Sequence, residues 1–231
     1  MKRFYRQAEI IPVPGGYAVG LDGRAIKTPA KLPLLLPNAA LAAAIAGEWN
    51  AQQSEIRPEK MPLTRLASTA IDRVAPQRDA IVQQIADYAG TDLVCYRAAQ
   101  PPPLAMRQQA VWQPLVDWAA QRYAAPLETT AGIIPISQPV ASLHALAAAV
   151  AEHDNFALAA LHLLTGTCGS LVIALALTEG RLDAAEAFAA SQLDESFQIE
   201  AWGEDEEQAR RRAALAEDIV AAARFLSLLC G

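Results

Sequence analysis

The chain has 231 residues, enough to bury a sizeable core as one large domain or two small ones. Hydrophobic residues make up 53% and charged residues 19%, which excludes a disordered chain; the abundance of alanine predicts closely packed helices. Acidic residues outnumber Lys and Arg by 25 to 19, and no basic block appears, so nucleic acid is not an expected partner.

The opening Met1-Lys2-Arg3-Phe4-Tyr5-Arg6 leads straight into strand-like sequence, with no apolar export core and no Arg/Ser-rich leader, so no targeting segment is expected. Residues 8–37 read as β. Tyr17-Ala18-Val19-Gly20-Leu21 and Arg24-Ala25-Ile26-Lys27-Thr28 flank Asp22-Gly23, a pair suited to the positive φ angles of a tight hairpin turn. Asp22 and Gly23 are therefore assigned a structural role. Segments 9–13 and 31–36 supply further strands, whose prolines suit edge positions.

From Asn38 the apolar spacing becomes helical, through Leu41, Ile45 and Trp49. Trp49 is assigned to structure, joining this first helix to the rest. A loop at 57–62 precedes helices over 63–74 and 76–90. Residues 91–97 leave strand and helix both open. A long helix is expected over 104–124, kinked or broken at Pro114. Residues 132–136 look like a short strand, a candidate return to the N-terminal sheet. Helices follow over 140–153, 156–165, 168–179, 182–201 and 204–229.

Residues 156–177 carry no formal charge, and that length alone would suit a membrane span. His162 and the run Thr165-Gly166-Thr167-Cys168-Gly169-Ser170 interrupt it, so a buried helix pair is expected and no membrane insertion. The fold class predicted is α+β: a small β-rich N-terminal domain with the first helix (1–62), then a larger all-helical C-terminal domain (63–231), with 130–138 as the candidate return.

Little in the chain suggests catalysis. His144, His153 and His162 are nine residues apart and do not share a helix face, and no Cys/His pairing accompanies them, so no metal is expected. Cys95, Cys168 and Cys230 are widely spaced and odd in number, which predicts reduced thiols. No dinucleotide or phosphate loop is present, and no cofactor is expected.

One segment combines an amide, an indole and carboxylates. Read as helix, Asp194, Gln198 and Trp202 fall on one stripe bordered by Glu195; Gly203 ends the helix, and Glu204 and Asp205 begin the next. Aromatic residues ringed by polar groups are the usual makeup of an interaction hot spot. Glu195, Asp194, Gln198, Trp202, Glu204 and Asp205 are the predicted partner-binding residues. A helical adaptor with another client, or a small-molecule enzyme using the carboxylates of 194–205, are the alternatives.

Several short motifs, in order and spacing, resemble the assembly chaperones that act on the α subunit of the F-type ATP synthase catalytic head. They are Lys2-Arg3-Phe4-Tyr5, Leu21-Asp22-Gly23-Arg24 with Lys27-Thr28-Pro29, and Glu48-Trp49 with Gln52. Met61-Pro62-Leu63-Thr64, Ala70-Ile71-Asp72, Thr91-Asp92-Leu93 and Cys95-Tyr96-Arg97 continue the series, and Asp194-Glu195, Gln198, Glu200 and Trp202-Gly203-Glu204-Asp205 complete it. The resemblance implies a non-enzymatic protein that binds free α subunit, shields it from aggregation and releases it to β subunits. It also implies a functional acid in the last block, with Glu195 the best match. A bacterial, cytoplasmic member is expected, or a mitochondrial matrix protein if the chain is a processed eukaryotic form.

Overall fold

Asp22 and Gly23 turn with φ of 48° and 82°, and the hairpin they close is the seed of the N-terminal sheet. The computed structural model describes every residue except Ile133 and Gly231. Strands β1 (Ala8–Val13), β2 (Gly16–Leu21) and β3 (Arg24–Ala25) pair antiparallel in that order. The expected strand over 31–36 forms only isolated bridges, Lys27 to Pro33 and Tyr17 to Leu36. Pro33 lacks a donor and Lys31 turns left-handed at φ 67°, so no ladder forms there.

Helix α1 (Ala39–Asn50) starts where Asn38 accepts from the Leu41 N–H at 2.8 Å, and buries Leu41 and Ile45. Its Glu48 carboxylate accepts from the N–H groups of Leu63 and Thr64 at 2.8 Å and from the Thr64 hydroxyl at 2.7 Å. These are the orphan donors at the start of α2 (Pro62–Thr69), so an acid on one helix caps the next. The chain continues as a π-helical stretch, Ala70–Val74, then through α3 (Arg78–Ala86).

Residues 91–97 contain both candidate structures: a short 3₁₀ turn, Leu93–Cys95, then strand β4 (Tyr96–Arg97). Helix α4 (Pro102–Tyr123) runs unbroken through Pro114, because burial of Leu104, Trp112, Leu115, Val116 and Ala119 along one face outweighs the lost donor. The strand expected at 132–136 stands instead at β5 (Thr130–Ala131), parallel to β4 in a two-stranded sheet separate from β1–β3; Ile133 lies outside the described residues.

Helices α5 (Val140–Ala151), α6 (Asn155–Cys168) and α7 (Leu171–Thr178) follow. The uncharged segment is a helix pair, as expected, but it breaks at Gly169-Ser170 and not at 166–167. Gly169 takes φ 63° and the Ser170 hydroxyl caps α7 through the Ile173 N–H at 3.0 Å. All seven residues Leu171 to Leu177 are buried, and no helix among the described residues is long and apolar enough to cross a membrane. The expected helix over 182–201 divides at Gln192 (φ −108°, ψ 25°) into α8 (Ala184–Ser191) and α9 (Leu193–Trp202); α10 (Glu206–Leu229) closes the chain.

The architecture is α+β, a small antiparallel sheet followed by a larger helical part. By packing, one unit comprises residues 1–78, 154–160 and 224–231, and a second comprises 79–153 and 161–223. In the first, Phe156 stacks on Phe225 at 6.4 Å and Asn38 donates to the Leu228 carbonyl at 2.8 Å. In the second, the buried Trp112 indole donates to the Ala190 carbonyl at 2.8 Å.

Candidate partner-binding site

Helix α9 packs through Leu193, which is buried, and Phe197, over which the Arg107 guanidinium lies at 5.3 Å. That fixes which side of α9 faces outward. The side chains one turn away are then divided between internal contacts and solvent.

Asp194 turns inward. Its carboxylate accepts from the side-chain amide of Gln108, a residue only 1% exposed, at 2.7 Å. Burial pushes the Asp194 carboxyl above the ordinary range, with the Gln108 bond opposing the shift and the nearby Glu195 charge adding to it. The same Gln108 accepts from the Ala98 N–H at 2.7 Å, so the amide is used at both ends.

Glu204 pairs with Arg212 at 3.3 Å, and Arg212 also donates to the Ser196 hydroxyl at 3.1 Å. Asp205 accepts from the N–H groups of Glu207 and Gln208, both at 2.8 Å, and so caps α10. Gly203 separates the helices at φ 83°. Glu200 is held by two bonds from Arg107, at 2.7 and 2.9 Å, which pull its carboxyl below the usual range. Along α10, Glu206 and Arg210 pair at 3.9 Å, one helical turn apart.

Glu195, Gln198 and Trp202 remain. They lie at i, i+3 and i+7 on one face of α9, all exposed, and none has a hydrogen bond or ion pair among the described residues. Trp202 is 80% exposed, more than any other large hydrophobic side chain among the described residues. The stripe is therefore led by Glu195, with Asp194 anchoring it from behind. On the same unit, Val111, Leu115, Leu182, Ala189, Ala190 and Leu193 line an apolar groove of about 430 Å³ shared with Arg107, Glu186 and Ser196.

Gln108, Arg107 and Arg212 orient this corner; sequence reading missed Gln108 and Arg107, while the basic run at 210–212 after the acidic cluster already pointed to ion pairing there. Gln108 had one visible signal: it interrupts the apolar stripe Leu104, Trp112, Leu115 of α4, where a polar residue needs an internal partner. Arg107 had none, because its partner Glu200 is 93 residues away in sequence and only folding pairs them.

Elsewhere, Asp22 accepts from the backbone N–H groups of Arg6 and Gln7, bonds that hold its carboxyl below the usual range. Trp49 is half-buried, with the Tyr5 ring edge-on at 5.8 Å. Burial pushes the Cys95 and Cys168 thiols up to about 12, which removes them as nucleophiles. Among the described residues, no group of three or more His, Cys, Asp or Glu side chains could hold a metal ion.

The sequence matches the family model of the ATP12 chaperone protein over residues 2–120, more than half of the chain. The chain belongs to the ATP12 chaperone family. Atp12 from Paracoccus denitrificans is 48% identical to it, with a TM-score of 0.94 over 98% of this chain and 97% of that one. An aspartate-to-lysine mutant of the same protein superposes with a TM-score of 0.94, at 47% identity and the same coverage. The mitochondrial atp12 protein of Schizosaccharomyces pombe is 24% identical over 214 residues, 87% of this chain and 74% of that protein. The resemblance read from the sequence, to chaperones of ATP synthase assembly, therefore stands. The ATP12 match ends before α9, so the corner is covered by the structural relatives and not by the family model.

Proposed function

We propose that this protein binds the free α subunit of the F-type ATP synthase, keeps its exposed interface from aggregating and hands it on to β subunits, without catalysing a reaction. Membership of the ATP12 chaperone family supports an assembly role. The observation that carries the reading to a surface is the exposed stripe Glu195, Gln198 and Trp202, a carboxylate, an amide and an 80% exposed indole on one helix face. A large aromatic left in water, flanked by polar groups with no internal partner, is the makeup of an anchoring contact. Asp194, Glu204 and Asp205 complete the site by holding the helix and the following turn in place.

A chaperone of this kind must grip its client and still yield it to β. That balance is one of relative affinities. Glu195 supplies orientation and association rate by pairing with a basic group of the client, and Trp202 supplies buried area. The enzyme alternative finds less support: the carboxylates of Asp194, Glu204 and Asp205 are engaged in bonds within the fold. We place the protein in the bacterial cytoplasm, or in the mitochondrial matrix for a processed eukaryotic form.

The test dilutes chemically unfolded α subunit into buffer with the protein, with Glu195→Lys, and beside an unrelated aggregating client. Suppressed light scattering and co-elution selective for α, weakened by Glu195→Lys, is the expected result. Equal protection of both clients would reduce the protein to a general holdase.

A further inference from the structure

Charge is divided unequally along this chain. The first unit holds 12 Lys and Arg against 7 Asp and Glu, a net +5; the second holds 7 against 18, a net −11. Part of the positive excess gathers at one loop. Arg24, Lys27 and Lys31 are all exposed there, and none is in an ion pair among the described residues. Leu32 and Leu35, beside them, are 45% and 40% exposed.

The loop is built to hold that display. Thr28, buried at 4%, donates from its hydroxyl to Asp72 at 2.6 Å, and the other Asp72 oxygen accepts from the Ala30 N–H at 3.0 Å. The Lys31 N–H donates to the Thr28 carbonyl at 2.8 Å, and the Thr28 N–H to the Leu32 carbonyl at 2.9 Å. Asp72 itself is carried by the π-helical stretch Ala70–Val74, an irregularity frequent at functional sites. Within this frame Lys31 is held at φ 67°, a conformation glycine or asparagine adopts far more readily than lysine. A long cationic side chain kept at a left-handed turn position, where a cheaper residue would close the turn, marks a residue retained for what it touches.

We propose that the loop of residues 24–35 is a second client contact, which takes an acidic stretch of the α subunit bearing an apolar side chain, with Arg24, Lys27 and Lys31 on its carboxylates and Leu32 and Leu35 against the apolar group. Charge complementarity selects the occupant: three unpaired cations around two half-exposed leucines fit an anionic, partly apolar segment. The proposal rests on the α-subunit reading above and adds an anion-seeking surface to the anionic one on α9.

The experiment measures the affinity of the α subunit for the wild-type protein, for R24E/K27E/K31E and for Lys31→Gly, with melting temperatures alongside. Charge reversal raises Kd at least tenfold at about 50 mM salt, and the gap narrows at about 500 mM as screening shortens the field. Lys31→Gly melts no lower than the parent, since glycine suits the turn, yet it binds more weakly; a merely structural lysine would show no such split. Unchanged affinity in both variants, with wild-type binding intact, overturns the second contact and leaves the chaperone reading standing. Failure of the wild-type protein to bind α overturns the chaperone reading itself. If the chaperone alone self-associates by sedimentation and the triple variant abolishes this, the occupant is a second copy and the proposal is wrong.

Discussion

Gln108 donates its side-chain amide to the carboxylate of Asp194 at 2.7 Å, from a position on α4 that is almost wholly buried. Two adjacent acids at the start of α9 thereby receive different work: Asp194 ties the helix to α4, and Glu195 faces solvent. Substituting them should give opposite outcomes. Asp194→Ala leaves a buried amide without its acceptor and should lower stability by about 1–3 kcal/mol. Glu195→Lys should change stability by no more than about 0.5 kcal/mol while weakening α-subunit binding. Chemical denaturation of both variants, paired with co-elution, reads the contrast; equal destabilisation would contradict it.

Trp202 makes a simple counterpart. With 80% of its surface in water, it contributes little to the fold. Trp202→Ala should melt within a degree or two of the parent and lose about tenfold or more in client affinity, a hot-spot effect of roughly 1.4 kcal/mol or greater. Titration calorimetry with the α subunit decides it.

Asp92 should make stability depend on pH in an unusual direction. It is fully buried and accepts from the N–H groups of Val172 at 3.0 Å and Val94 at 3.2 Å, with the Ser170 hydroxyl bonded to it. Burial nevertheless dominates and pushes its carboxyl up to about 6. The folded chain thus holds this proton more tightly than the unfolded chain, whose carboxyl titrates near the ordinary value. The stabilising contribution is complete below about pH 4 and disappears as pH rises through about 6. Asp92→Asn removes the titration and surrenders one acceptor. Its stability relative to the parent should therefore improve between pH 4.5 and 7.5, by about 2 kcal/mol. Urea unfolding at the two pH values measures this; a constant difference would rule it out.

Trp49 bridges α1 and the N-terminal segment, with the Tyr5 hydroxyl donating to its carbonyl at 2.6 Å and the two rings edge to face. Trp49→Ala should lower stability by about 2–3 kcal/mol, below the range for a fully buried tryptophan because the side chain is only partly buried. An unchanged melting temperature would exclude it from the packed interior.

By itself the sequence determined the class of the fold and most of its local structure. The hairpin at Asp22-Gly23, the N-cap at Asn38 and the helix end at Gly203 are dictated by residues within a few positions of each other, because turn and cap preferences are local sterics and hydrogen bonding. It also carried the family motifs, whose physical meaning stayed hidden until their partners met. Glu48 caps α2 through Thr64, and Thr28 rests on Asp72, pairings 16 and 44 residues apart. Tertiary structure decided that α4 does not break, since burial held it together across Pro114; the end of α6 at Gly169 and Ser170, a few residues later than composition suggested, is again a local cap. It also decided which acids of the α9 corner are spent within the fold. Asp194 and Glu195 are nearly identical as residues, and only the placement of Gln108 on a neighbouring helix separates an anchor from an exposed charge.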